Sequence, residues 1–403
     1  MPGAPSPMRR VVFLNRYYWP EEPATAQLLT DLAAALAVAG HAVTIITSRP
    51  GWSSLPSRQT HGGVAIVRVT GTRWSTHGLP GKAVDFVTFS FLALLKICFV
   101  ARRGDAVVAM SDPPLLGVGA WLMARLCGAR IYHWVQDIHP EIAVAVTGHR
   151  WPRAVAPLRN LAWRRSDGCV TLGADMAGIL AQAGVPPARI TISPNWAPAG
   201  LSVQPRAAAD SLSAEWQLQG KFIVAYSGNL GRVHDLAPVL DVAAALHGEA
   251  DVAFVFVGSG AQRDRLRAQA RQRGLTNVHF HPPQPRGRLG ETLSLGDLHL
   301  VTLAPGCEKL VFPSKLYGAA AVGRPVIFIG PRECEVARLV VQHGFGRAFT
   351  PDETAAIAAE ILHLRTEPAR LRQLGAAAES FGCQNSGPSR AAAIWAGLLA
   401  STD

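Results

Sequence analysis

The sequence predicts an α/β protein built from two doubly wound parallel sheets, and three observations carry that expectation. At 403 residues the chain exceeds what one hydrophobic core ordinarily holds and suits two domains of roughly 150 to 200 residues. Short, almost wholly apolar runs alternate with helix-length segments through both halves, the pattern of strands buried on both faces and joined by crossover helices. Charged residues make up 17% and aromatic residues 7%, while alanine, leucine, valine and glycine supply small side chains for helix-on-sheet contacts.

Taken in order, Val11 to Leu14 reads as the first strand and Ala26 to Ala39 as a helix, followed by strands at Ala42 to Thr47 and Val64 to Val69. A long apolar helix over Asp85 to Ala101 precedes the strand Ala106 to Met110, then come a helix over Leu115 to Cys127 and the strand Ile131 to Val135. A helical stretch through Trp151 to Arg165, a strand at Gly168 to Leu172, a helix over Ala174 to Ala183 and a strand at Ile190 to Ser193 complete the first half. Pro198, Pro205 and a polar, alanine-rich run then break the alternation, so Ala197 to Ser213 reads as an interdomain linker.

The pattern restarts with strands at Phe222 to Ser227, Val252 to Val257, Val278 to His281 and Leu298 to Leu303. Helices are expected between them over Leu236 to Leu246, Gln262 to Arg273 and Arg286 to Leu295. Pro313 and Ser314 form a helix start, Gly323 and Pro325 its stop, and Val326 to Ile329 another buried strand. Helices over Glu335 to His343, Thr354 to Leu364 and Ser389 to Leu399 close the chain. The expected domains are therefore residues 8–200 and 215–385, with 386–403 a terminal helix. In two facing sheets of this kind ligands bind beyond the carboxyl ends of the strands, so the site is expected in the cleft between the halves.

Charge and cysteine usage bound the partners. The formal net charge of +11 suits nucleic acid, anionic lipid or phosphorylated substrates, but no lysine-rich tract supports nucleic acid. Cys98, Cys127, Cys169, Cys307, Cys334 and Cys383 show no CxxC and no metal-ligand spacing, as reduced thiols of a cytoplasmic protein would. MPGAPSPMRR lacks the apolar stretch of a secretory signal, so the protein is expected to stay inside the cell. Val84 to Arg103 is apolar but interrupted by Lys96 and closed by Arg102 and Arg103. It reads as a core helix or as an interfacial helix on an anionic membrane, with Phe86, Phe89 and Leu92 in the acyl boundary.

The segment GCEKLVFPSKLYGAAAVGRPVIFIG, Gly306 to Gly330, is the clearest candidate for anion binding. Ser314 and Lys315 sit at a helix start, where free backbone N–H groups and the helix dipole favour phosphate and a lysine adds a point charge. An ordinary strand–helix–strand unit with a solvated lysine would show the same pattern. YSGNLGRVHD follows the first strand of the second half. Gly228 and Gly231 permit close backbone approach there, and Asn229, Arg232 and His234 offer donors to phosphate oxygens. VGSG, with Ser259, lacks the remaining residues of a dinucleotide fingerprint, and no GxxxxGK[ST] occurs. In the first half, WVQDIHPE places Asp137 and His139 after a strand, where they could orient a substrate hydroxyl, with His139 also able to contact phosphate, or simply cap and turn the chain. Thr25 lies in the first loop beside Ala24, and both side chains are small.

With GHAVTIITSRP, YSGNLG, VGSGAQRDRL, GLTNVHFHPP and FPSKLYGAAAVGRPVI in this order, the chain resembles family 4 retaining glycosyltransferases of the GT-B fold over nearly its whole length. Within them it resembles the enzymes of colanic acid and O-antigen assembly. The resemblance implies a nucleotide-diphosphate sugar held by the second domain, an acceptor held by the first, and a last helix that returns to the first domain. It also implies departure of the diphosphate and attack on one face of the sugar, with Lys315 and Arg232 bearing the leaving charge, Asp137 assisting, and no metal or other cofactor required. The family's two glutamates before the GxPV helix are absent. Leu310 and Gly318 stand in their places, leaving Glu308 as a neighbour of the first and Glu333 or Glu335 as candidates for the ribose. Asn229 and His234 stand where the family commonly has arginine and lysine.

The expected function is a cytoplasmic, membrane-associated transferase acting on a lipid-linked saccharide acceptor in exopolysaccharide or O-antigen synthesis. A noncatalytic partner subunit and a sugar-nucleotide epimerase are the alternatives.

Overall fold

The computed structural model describes residues 9–49, 54–72, 74, 78–204 and 209–400. The expected leaderless start and the middle of the expected linker, 205–208, lie outside the described residues. The chain divides into two compact units, one of Met1–Asn195 with Gly387–Asp403 and one of Trp196–Ser386. The segment read as a linker, Ala197 to Ser213, thus falls within the second unit.

Unit 1 runs β1 (Arg10–Leu14), α1 (Ala24–Val38), β2 (Ala42–Ser48), β3 (Arg58–His61), β4 (Val64–Val69), α2 (Gly78–Val100), β5 (Ala106–Met110) and α3 (Leu116–Leu126). It continues with β6 (Arg130–Val135), α4 (Glu141–Thr147), α5 (Ala156–Arg165), β7 (Gly168–Thr171), α6 (Ala174–Gln182) and β8 (Ile190–Ile192). Its sheet has the order β3-β4-β2-β1-β5-β6-β7-β8. Every pairing is parallel except β3 with β4. β5 is AVVAM with every residue buried, as a strand covered on both faces must be.

Unit 2 runs α7 (Asp210–Glu215), β9 (Phe222–Ser227), α8 (Ala237–Ala245), β10 (Val252–Val257), α9 (Arg263–Gln272), β11 (Val278–His281), α10 (Leu289–Leu295) and β12 (Leu298–Thr302). Then follow α11 (Lys315–Ala321), β13 (Val326–Ile329), α12 (Glu335–Gln342), β14 (Gly346–Phe349), α13 (Thr354–Thr366) and α14 (Pro368–Gln384). The sheet order β11-β10-β9-β12-β13-β14 places the reversal of winding between β9 and β12. Ligands of doubly wound sheets sit beyond the carboxyl ends of the strands at that switch. After unit 2 the chain returns to unit 1 as α15 (Ser389–Ala400). Trp395 is buried there, edge-on to Phe13 at 5.9 Å and to Trp134 at 5.6 Å.

The sequence reading missed five of the described elements, among them α4, which follows the turn after β6. β3 is RQTH, a polar edge strand with no apolar alternation. β14 is GRAF, short and headed by glycine. α7 lies partly inside the expected linker, and α14 opens on proline and carries two glycines. α2 begins at Gly78, seven residues before the expected start, because Gly78, Pro80 and Gly81 read as breakers.

Candidate functional site

In unit 2 the loops that leave β9 and β12 meet. Lys315, the first residue of α11, carries its Nζ to 2.9 Å from Nε2 of His234 in the β9 loop. His234 Nδ1 lies 2.7 Å from the Thr302 carbonyl at the end of β12. A carbonyl only accepts, so Nδ1 holds the ring proton and donates, and the lone pair of Nε2 accepts from the lysine. Tyr226 presents its ring 5.0 Å from the same Nζ while its hydroxyl donates to the Asn229 carbonyl at 2.9 Å. Gly228 makes room for the lysine stem. Its φ of +129° is one that side chains rarely adopt, and an added Cβ would stand 3.0 Å from Lys315 Cε.

Further bonds hold the loop in place. Gln262 donates through Nε2 to the carbonyls of Gly231 and His234, both at 2.7 Å. Leu230 N–H donates to the Ser259 carbonyl at 2.8 Å, and Ala304 N–H to the Val233 carbonyl at 2.8 Å. Burial pushes the Lys315 ammonium down to about 7. Burial and, secondarily, the neighbouring lysine push His234 down to about 3, so its ring is neutral at physiological pH.

The structure thus brings Gly228, His234 and Lys315 together. Asn229, Arg232 and Ser259 are exposed on the two glycine turns. Ser314 precedes α11 as its N-cap residue without a side-chain capping bond. Glu308, on the loop after β12, is half-buried with one carboxylate oxygen buried and unpaired. Glu335 opens α12. The position of Gly318 is packed, since a Cβ there would touch Leu293 at 3.4 Å, and Leu310 is buried. Tyr226, Gln262 and the Thr302 carbonyl are part of the cradle; Tyr226 and Gln262 lay in segments the sequence singled out, though neither was a candidate itself, and Thr302 lay in none.

In unit 1, Asp137 and His139 follow β6. The N–H groups of Gln136 and Asp137 donate to Ser111 Oγ at 3.1 and 3.0 Å, and Gln136 exchanges amide bonds with Asn195 at 3.2 and 3.1 Å. Burial, then the charge of Asp112, pushes Asp137 up to about 7. Burial holds His139 near 4. A small cavity of about 40 Å³ there is lined by Ser111, Asp137, His139, Arg159 and Trp163 among others. Glu141, part of the same cluster, is ion-paired with Arg159. Thr25, expected in a loop, is the second residue of α1 and half-buried.

The apolar helix α2 has two faces. Phe89, Ala93 and Ile97 are core, which corrects the expectation that Phe89 reaches lipid. Phe86 is half-buried with the Arg16 guanidinium 4.5 Å over its ring, and Leu92 packs against the core. The exposed row is instead Val87, Phe91, Leu95 and Phe99, each four residues on. Leu122 and Leu126 of α3 are exposed too, and the Cys98 and Cys127 thiols, 3.7 Å apart, join the ends of the two helices. All six cysteines are free, with Cys98 and Cys383 exposed rather than in the core. Exposed Lys82, Arg102, Arg103 and Arg125 border this surface.

Comparison with known proteins accounts for both halves. Residues 25–196 match the glycosyl transferase 4-like domain and residues 210–381 the glycosyl transferases group 1 domain. The putative colanic acid biosynthesis glycosyl transferase WcaI of Escherichia coli (strain K12) is 28% identical over 368 residues, covering 85% of this chain and 89% of its own. The probable glycosyltransferase WbjE of Pseudomonas aeruginosa is 27% identical over 282 residues, covering 67% and 68%. Among solved structures, Anabaena Alr3699/HepE in complex with UDP superposes with a TM-score of 0.74 at 15% identity, over 98% of this chain and 100% of that one.

Proposed function

The chain belongs to the glycosyltransferases of GT-B fold, with a glycosyl transferase 4-like domain followed by a group 1 domain, and from that premise we propose that it moves a sugar, with retention of configuration, from a nucleotide-diphosphate sugar to a lipid-linked saccharide. The observation that carries this reading is the Lys315 ammonium held at the switch point of unit 2 by His234, Tyr226 and Gly228. A preplaced cation there stabilises the charge that develops on a departing diphosphate. The relative that binds UDP supports a nucleotide donor, and Arg232 with Asn229 and Ser259 of the adjoining turns is free to meet it.

In this reading the leaving diphosphate accepts the acceptor's proton, so no strong general base is required, and protein cations do the work that a metal does elsewhere. Asp137 and His139 orient sugar hydroxyls from unit 1, with Thr25 near the acceptor. Glu308 and Glu335 serve the donor, the unpaired oxygen of Glu308 being suited to a hydroxyl. The acceptor in this reading is a polyprenyl-diphosphate saccharide of exopolysaccharide or O-antigen synthesis, and the relative named for colanic acid biosynthesis supports a polysaccharide pathway. The row Val87, Phe91, Leu95 and Phe99 with its basic border is suited to the anionic inner face of the cytoplasmic membrane.

The test is a panel of UDP, GDP, dTDP and ADP sugars with vesicle-borne acceptor, following nucleotide release and the anomeric configuration of the product by NMR. One nucleotide class turned over with retention is the expected outcome. A folded protein that turns over none of them would overturn the proposal.

A further inference from the structure

The strongest unexplained feature of unit 2 is that the half-buried ammonium of Lys315 is bonded to a histidine rather than to a carboxylate. On the reading of unit 2 as a diphosphate site, the geometry points to His234 as a positioning residue that aims Lys315, the two together doing the work of a single phosphate-binding cation. A lysine on a four-carbon stem ordinarily loses affinity to its own rotamer freedom. Here the stem lies over Gly228, the ammonium faces the Tyr226 ring at 5.0 Å, and one of its three N–H groups is spent on His234 Nε2 at 2.9 Å. Two N–H groups remain for oxygens.

The histidine can accept that bond because the Thr302 carbonyl, 2.7 Å from Nδ1, fixes the tautomer. Its backbone is fixed in turn, by Gln262 on its carbonyl at 2.7 Å and by its N–H to the Gly231 carbonyl at 3.1 Å. Both strands at the switch therefore point one ammonium. Residue 234 on the β9 loop and the tip of residue 315 on α11 occupy one place, although they are 81 residues apart in the chain. A cation belongs at that place, and either residue could deliver it.

That equivalence gives a test that a merely structural histidine would fail. Lys315→Ala is expected to lower kcat about 10²- to 10³-fold, and His234→Ala about 10-fold or more through a wandering ammonium. The double variant Lys315→Ala/His234→Lys is expected to regain at least about 10-fold over Lys315→Ala, because the new lysine brings its charge to the vacated place from the other side. Binding of UDP and of inorganic pyrophosphate, measured by calorimetry on the full chain, should follow the same order.

A double variant no better than Lys315→Ala in both turnover and pyrophosphate binding, with an unchanged melting temperature, would overturn the inference. If the wild-type protein turns over no donor, the functional reading fails by itself, and the pyrophosphate series still decides the role of His234. As a check that needs no variant, ¹⁵N NMR of the wild-type side chain should show a protonated Nδ1 and a bare Nε2 at pH 6. An imidazolium there would also overturn the inference.

Discussion

Lys315 is a cation whose charge depends on its surroundings, and that makes its role readable by pH. Burial brings its pKa from the ordinary lysine value to about 7, and His234 at about 3 stays neutral and does not compete. A bound diphosphate restores the charge. Below pH 7 the ammonium is already formed in the free protein, whereas above it anion binding must take up a proton, so affinity should fall as pH rises through the free-state value. The expected decline approaches about tenfold per pH unit above 7, until the pKa of the complex is reached. Calorimetry of UDP between pH 6 and 9, in buffers of different ionisation enthalpy, would report both the decline and the proton uptake. An affinity flat across this range would exclude Lys315 as the anion's partner. The sequence placed Lys315 at a helix start and His234 after a glycine turn from local signals. It could not pair them, because no periodicity reports which loops a sheet brings together, and the tautomer that makes the pair possible depends on a backbone carbonyl of a third segment.

At the level of elements, α2 shows why composition leaves the buried face undetermined. Its 23 residues are apolar on nearly all sides, and a row of four-residue spacing can be drawn through either Phe89, Ala93 and Ile97 or Val87, Phe91, Leu95 and Phe99. Packing on α3 and the sheet buries the first row and leaves the second outside. The two rows should therefore respond oppositely to polar substitution. Phe91→Ser with Phe99→Ser should leave the melting temperature nearly unchanged, since both rings already meet water. It should weaken sedimentation with phosphatidylglycerol vesicles by about tenfold or more, at about 1.5–3 kcal/mol for each buried ring. Phe89→Ser should instead cost about 3–5 kcal/mol of stability. Unaltered vesicle binding in the double variant would remove α2 from the membrane contact. The missed elements share a cause: RQTH and GRAF are held by pairing to their neighbours rather than by their own patterns, and α14 is carried by close packing against α11 and the turn after it, which Gly375 and Gly382 permit.

For the whole molecule, the order of the chain and the order of folding units differ. The chain leaves unit 1 at Asn195, builds unit 2 through Ser386, and only then supplies α15 to unit 1. Alternation in the first 195 residues reads as a finished sheet with its helices, and nothing in those residues announces that a tryptophan 200 places further on completes the core. Trp395 fills a space bounded by Phe13 of β1 and Trp134 of β6, with α15 lying on α1. Unit 1 should therefore be the unit weakened by Trp395→Ala, at about 3–5 kcal/mol for a buried tryptophan. Hydrogen exchange of the full chain should then rise in β1, β6 and α1 while β9, β10 and β12 keep wild-type protection. Trp395→Phe is the matched control, because it keeps an aromatic ring against Phe13 and Trp134 and removes an indole N–H that has no partner in its buried site. It should cost much less than the alanine, since dropping an unpaired donor offsets part of the lost volume. Equal loss of protection in both units after Trp395→Ala would mean that they unfold as one, and the dependence of unit 1 alone on the end of the chain would have to be given up.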